Sequence, residues 1–304
     1  ERTRASHNST HCTSPEFDID MHAPNTPLVI HRIFHPTDFS ADSQVAFAHA
    51  LKLAVAYRAE LTIMHVDPDV SPEGFEDFPR VRPTLAKWGL LPESSTKSDV
   101  TTLGVHIRKV RALAADAKQA IIHHLTTTPT DLMVLSTHQH EGFARWTHHS
   151  LAEPVSRHMH VKTLFVPSHV QGFVAGDSGK TSLHRVLLPI SLTPPSQPAI
   201  DAATTLVTQV NVSPVTFTLV HAGKEPDTTA LVLPEKPDWS WNQLFGKSDP
   251  AEWILAAGAE FDVDLIVMAT KGQDSVLDLL RGSTTERVLR GARCPVLAIP
   301  ASLI

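Results

Sequence analysis

The stretch MATKGQDSVLDLLRGSTTERVL, residues 268–289, carries the residues of this chain best suited to hold an anion. Gly272 is followed by nine residues and then by Gly282 and Ser283. Glycines let backbone N–H groups close on a phosphate with no Cβ in the way. A helix starting behind them adds partial positive charge at its N-terminus. Ser283 reads as the cap of a helix over TTERVLRG, Thr284 as its first residue, and Lys271 as a cation near a phosphate. A glycine–serine pair also serves as a plain strand–helix connection with its cap, so the loop alone leaves both readings open.

Histidine is the second group with chemistry to offer. The chain has 19 histidines against one tyrosine. His138, His140, His148, His149, His158 and His160 fall in one tract. His138 and His140 alternate, so an extended backbone points both to the same side. Such a tract suits zinc, copper or nickel. No HExxH spacing occurs and no cysteine joins the group, so solvated loop histidines are the competing reading. His138 and His149 could also meet an anion when protonated at mildly acidic pH. No nucleophile elbow, Walker lysine in frame or paired-carboxylate motif occurs. No catalytic residue is therefore named, and enzyme activity is not the expected function.

The elements that position these residues follow from length and pattern. With 304 residues, 42% of them apolar, the chain is long enough for two domains with real cores. A net charge of −6 without a dense Lys/Arg run speaks against nucleic acid. Cys12 and Cys294 cannot make a disulfide framework, and a reducing cytoplasm fits them. No apolar run reaches the roughly 20 residues of a membrane helix. The polar start, ERTRASHNSTHCTSPEFDID, has no apolar centre and is not a secretory signal. Residues 1–26 are expected to form a disordered tail.

The rest is an internal repeat. HPTDFSADSQVAFAHALKLA, from His35, matches LPISLTPPSQPAIDAATTLV, from Leu188. LTIMHV from Leu61 matches FTLVHA from Phe217, DLMVLST from Asp131 matches DLIVMAT from Asp264, and TLFVP from Thr163 matches VLAIP from Val296. The first copy holds extra residues before Asp131. They include PRVRPTLAKWGLL, expected to be helical after Pro83, with Trp88 as a packing residue. Trp239, Trp241 and Trp253 read as core or domain-interface residues rather than sites. Each copy alternates apolar strand-like runs with helices, which implies parallel sheets with right-handed crossovers. The helix after PTDF is capped by Ser40 and shows an apolar face at Val45, Ala48, Leu51 and Val55. The expected division is 27–168, a polar linker at 169–182, and 183–304. Ligands in such folds sit beyond the strands' carboxyl ends, where PTD and MATKG would lie.

On HPTDFSADSQVAFAHALKLAVAYRAELTIMHV and DLIVMATKGQDSVLDLLRGSTTERVLRGARCPVLAIP, the chain resembles the universal stress protein family, in a tandem two-domain form. The resemblance implies two flavodoxin-like α/β/α domains, each with a five-stranded parallel sheet. It implies ATP at the strand ends, and pairing through the last strands as an intramolecular pseudo-dimer or a homodimer. The family's phosphate signature lands on Ala269, Gly272, Gly282 and Ser283, with alanine in place of its first glycine. The aspartate that helps hold the adenosine end lands on Asp38 in copy one and on Ser191 in copy two. Copy one has Ser136, Gln139, His149 and Ser150 at the signature positions, with no glycine. Copy two is thus the expected nucleotide site, in a cytoplasmic stress-response protein with neither nucleic acid nor membrane as partner. A nucleotide-free scaffold, or a metal-binding protein using the His-rich tract, remains the alternative. Asp38 could equally cap the helix that follows it.

Overall fold

The structure is a computed structural model and describes residues 28–68, 74–137, 161–223, 231–246, 248–271 and 284–301. The expected tail, the His-rich tract and Gly272, Gly282 and Ser283 lie outside the described residues.

An aspartate opens the fourth strand of each copy and pins the first. Asp131 Oδ2 accepts from the backbone N–H groups of His31 and Arg32, both at 2.8 Å. Asp264 Oδ2 accepts from His184 and Arg185 in the same way, again at 2.8 Å. The strands so ordered are β1 (Arg32–Pro36), β2 (Glu60–Asp67), β3 (His106–Leu113), β4 (Leu132–Thr137) and β5 (Lys162–Pro167). Between them run α1 (Ala41–Tyr57), α2 (Val81–Lys87), α3 (Lys97–Thr102) and α4 (Ala117–Thr127). The second copy gives β6 (Arg185–Pro189), α5 (Gln197–Val210), β7 (Val215–Ala222), β8 (Trp239–Gly246) and α6 (Pro250–Glu260). It ends with β9 (Leu265–Lys271), α7 (Thr284–Gly291) and β10 (Val296–Ala301).

The ten strands among the described residues join in one sheet, in the order β3-β2-β1-β4-β5-β10-β9-β6-β7-β8. Each half is a five-stranded parallel sheet, as the repeat predicts. The halves meet where β5 pairs antiparallel with β10, Phe165 opposite Val296. The last strands of the two copies thus pair within one chain.

Helices cover both faces. One apolar cluster runs through both halves beneath α1 and α5, with Phe47, Leu51, Ile200 and Leu206 among its residues. The other holds Ile121 of α4, Ile254 of α6 and Val288 and Leu289 of α7. Ser40 caps α1 as expected, its Oγ accepting from Ser43 N at 3.1 Å. The buried surface of α1 is wider than the expected stripe and takes in Ala46, Phe47, Ala50, Leu53 and Ala54. The cause is tertiary, because α5 and the 169–182 segment both pack against this helix.

That segment, expected as a linker, is tied down. His49 donates Nδ1–H to Val45 O at 2.8 Å, and its Nε2 accepts from Phe173 N at 3.1 Å and Val174 N at 3.3 Å. Gly172 has φ +69°, and a Cβ there would lie 2.4 Å from His49 Nε2, so this close approach needs glycine. Trp88 donates Nε1–H to Gly176 O at 3.2 Å. Its ring lies where a Cβ on Gly179 would be. The insert of the first copy therefore helps hold the connection between the halves. Its helix α2 begins at Val81, before Pro83, because a first-turn residue has no intrahelical N–H to lose. Among the described residues no helix is long and apolar enough to cross a membrane.

Candidate functional site

In each half the strand order reverses between the first strand and the fourth, β1 beside β4 and β6 beside β9. Loops leaving such strands diverge and open a crevice at the carboxyl ends. A histidine braces each crevice. His65 at the end of β2 donates Nδ1–H to Thr37 O at 2.7 Å. His221 at the end of β7 does the same to Ile190 O at 2.9 Å. Both carbonyls belong to the residue just after the first strand, so the brace repeats in the two copies. The sequence carried this signal in the shared histidine of LTIMHV and FTLVHA, and the site prediction passed over it.

Beyond the brace the two crevices differ in chemistry. In the first, His65 Nε2 lies 3.3 Å from Asp67 Oδ1, and Arg111 Nη1 lies 2.9 Å from Asp67 Oδ2. Phe39, at φ +65°, stacks on the His65 ring with centroids 4.0 Å apart. Phe78 from the insert packs edge-on against Phe39, and Arg111 lies over its ring. Asp38 Oδ1 accepts from Ser40 N at 3.0 Å and from Ser40 Oγ at 2.6 Å. That contact orients Ser40, and it is Ser40 rather than Asp38 that caps α1.

In the second crevice other residues stand at the matching positions. Gly223 stands where the repeat places Asp67, and a Cβ on it would lie 3.3 Å from His221 Nε2. Phe245 pairs with His221 as Arg111 pairs with His65. Ser191 replaces Asp38. Its Oγ donates to Thr193 O at 2.9 Å and accepts from Thr193 N at 3.1 Å, while its backbone N–H donates to Ser196 Oγ at 2.8 Å. Leu192, the counterpart of Phe39, is 76% exposed.

The predicted phosphate residues enter on the other side of this crevice. Ala269 lies in β9 opposite Ile299 of β10, and it packs against the larger apolar cluster. Lys271 ends β9, opposite Ala301. Thr284 opens α7, whose place is set by α6. Arg287 Nη1 reaches Asp249 Oδ1 at 2.8 Å, and Asp249 itself caps α6 through Ala251 N and Glu252 N. Val288 and Leu289 are buried beneath. The structure thus puts Lys271 at the strand end before the loop and Thr284 at the helix start after it.

Several other candidates resolve as packing. His35 and His49 are fully buried, and burial lowers each from the ordinary 6.5 to about 4, so both are neutral at pH 7. Cys294 is buried, and burial pushes its thiol up to about 12, which removes it as a nucleophile or ligand. Trp241 stacks on Phe217 at 4.5 Å, and Trp239 packs edge-on to the same ring at 5.1 Å. Among the described residues no three His, Cys, Asp or Glu side chains gather as a metal site.

Comparison with known proteins bears on the whole arrangement. The model of the Universal stress protein family matches residues 30–167 and 245–300. A universal stress protein of Methanothermobacter thermautotrophicus is 40% identical over 66 residues, which cover 22% of this chain and 44% of that protein. One from Thermus aquaticus is 46% identical over 50 residues, 16% of this chain and 36% of that protein. The chain spans less than half the length of the curated relatives it matches. Among solved structures, a universal stress protein from Archaeoglobus fulgidus superposes with a TM-score of 0.56 at 16% identity, covering 89% of this chain and 98% of that one. A protein of unknown function from Pseudomonas aeruginosa PAO1 gives 0.52 at 10% identity, covering 90% and 94%. At these identities the structural likeness speaks to fold.

Proposed function

The chain belongs to the universal stress protein family, and on that premise we propose that it is a cytoplasmic stress-response protein binding an adenine nucleotide in its second half. One observation carries this reading. In the sequence, Gly272, Gly282 and Ser283 lie between the end of β9 and the start of α7, and β9 borders the point where strand order reverses. Lys271 and Thr284 flank these residues. The backbone N–H groups of the loop and the helix start would cradle the phosphates, and Lys271 would add a cation. Ala269 is partly buried against the apolar cluster. The first half keeps Asp38 but has no glycine at the matching loop positions. Binding of nucleotide would bias the surface offered to partner proteins.

A nucleotide-free scaffold is the second reading, and Ser191 is what favours it. A carboxylate there could bind ligand hydroxyl groups, whereas the Ser191 hydroxyl is already engaged by Thr193. Fluorescence titration with a labelled ATP separates the two. The nucleotide reading expects saturable binding that weakens about tenfold in Lys271→Ala, roughly the loss of one charge-assisted phosphate contact. Saturable binding untouched by that change would move the site elsewhere, and no binding would leave the scaffold.

A further inference from the structure

Among the described residues the ten-stranded sheet has two free edges, β3 and β8, because every other strand has a neighbour on both sides. That includes β5, between β4 and β10, and β10, between β5 and β9. The last strands therefore offer no edge for pairing with another chain. Any sheet extension between molecules must use β3 or β8.

The two edges are built differently. β3 reads HIRKVRAL and carries His106, Arg108, Lys109 and Arg111. Laid antiparallel against its own copy, it sets cation near cation, which is unfavourable. β8 reads WSWNQLFG and has no charge and no proline. It pairs with β7 over all eight residues, from Val215 opposite Trp239 to Ala222 opposite Gly246, without a bulge. Charge, proline and bulges are the usual guards of a sheet edge, and β8 has none of them. The strand is also held in shape, because Trp239 and Trp241 both pack on the buried Phe217 ring. Among the described residues no strand pairs with its outer N–H and C=O row, which runs beside the exposed Ser240, Asn242, Gln243 and Phe245.

We propose that β8 is a dimerisation edge and that its partner is β8 of a second copy of this chain. Three observations choose that occupant. A two-fold axis pairs a strand with itself antiparallel, and every such register of WSWNQLFG sets uncharged residues against uncharged residues. The chain already joins its own halves in this mode, through antiparallel pairing of the equivalent strands β5 and β10. The cationic opposite edge excludes the same use of β3. The two sheets become one sheet running through both molecules.

The test is the mass of the full chain in sedimentation equilibrium over a concentration series. The wild type is expected to move from one-chain to two-chain mass. Asn242→Lys, at an exposed position, is expected to hold one-chain mass throughout while keeping the wild-type circular dichroism spectrum. An equimolar mixture of Asn242→Lys and Asn242→Glu is expected to recover two-chain mass, since opposite charges across a strand pair attract. Arg108→Glu, on the other edge, is expected to behave as wild type. As a check independent of any variant, the β8 amides of the wild type gain protection from hydrogen exchange at the high end of the series. One-chain mass for the wild type at every concentration overturns the proposal, and a foreign strand would then be the remaining fit for this edge. A two-chain mass that persists in Asn242→Lys overturns it too, by placing the dimer contact elsewhere.

Discussion

His35 and Leu188 stand at the same place in the two copies, and the difference between them is a proton. His35 is fully buried in β1, with Nδ1–H donating to Val134 O at 2.9 Å and no partner for Nε2 among the described residues. Burial is the largest cause of its fall from 6.5 to about 4, opposed by the Val134 bond and the Asp38 charge. A group held neutral in the fold takes up its proton first in the unfolded chain. Stability linked to His35 is therefore intact above about pH 6.5 and is lost as pH falls towards 4, by about 3 kcal/mol in all. His49 acts in the same direction. His35→Leu puts in the residue that the second copy uses. Urea unfolding at several pH values between 4 and 6.5 is expected to show a slope shallower by about one proton. An unchanged slope would mean that His35 titrates in the fold as it does in water. Composition made histidine conspicuous, but the eye went to the dense tract at 138–160. The buried pair and the braces His65 and His221 sit singly in apolar runs, where only comparison of the copies sets His65 and His221 apart.

At the scale of elements, the strands and long helices were legible because their apolar patterns repeat in two copies. Divergent sequences that keep the same alternation point to the same layers. The short α3 was not, since a six-residue helix rests on its capping box, Thr96 with Asp99, rather than on periodicity. The burial of 169–182 was hidden for another reason. Its glycines and polar residues read as a linker, yet Phe173 and Val174 are buried and Gly172 and Gly179 let His49 and Trp88 come close. Contacts made by residues far apart in the chain leave no local pattern. Trp88→Ala removes a nearly buried indole and its bond to Gly176, which is expected to cost about 3–5 kcal/mol. Limited proteolysis should then cut within 172–182 well before the sheet. Equal resistance in mutant and wild type would show that His49 suffices to hold the segment. A second element-scale prediction concerns the repeated pins. Asp264→Ala leaves two strand-end N–H groups without their acceptor and should lower stability by about 1–3 kcal/mol in denaturant unfolding. A change near zero would assign the ordering of β6 to its ladder alone.

As a whole molecule the protein is two copies of one α/β unit that have diverged in opposite directions. One keeps a charged and stacked crevice, with Asp38, Asp67, Arg111, Phe39 and the insert's Phe78. The other keeps the glycines Gly272 and Gly282 in its sequence and has Ser191, Leu192, Gly223 and Phe245 where the first has Asp38, Phe39, Asp67 and Arg111. Antiparallel pairing of β5 with β10 locks both into one sheet. The α/β class and the parallel sheets follow from alternation and repeat. The contrast between the crevices could not be read fully from either copy, because the partners of Asp38, Asp67 and Ser191 come from loops and strands elsewhere.

The central claim is one nucleotide site per chain, in the second half. Isothermal calorimetry of ATP against the wild type, Gly282→Asp and Asp38→Ala tests it most directly. The account predicts one ATP per chain for the wild type and for Asp38→Ala, and loss of binding in Gly282→Asp with the fold intact, since a carboxylate in the loop repels phosphate. Two ATP per chain, loss of binding in Asp38→Ala, or no heat from the folded wild type at millimolar ATP would contradict it.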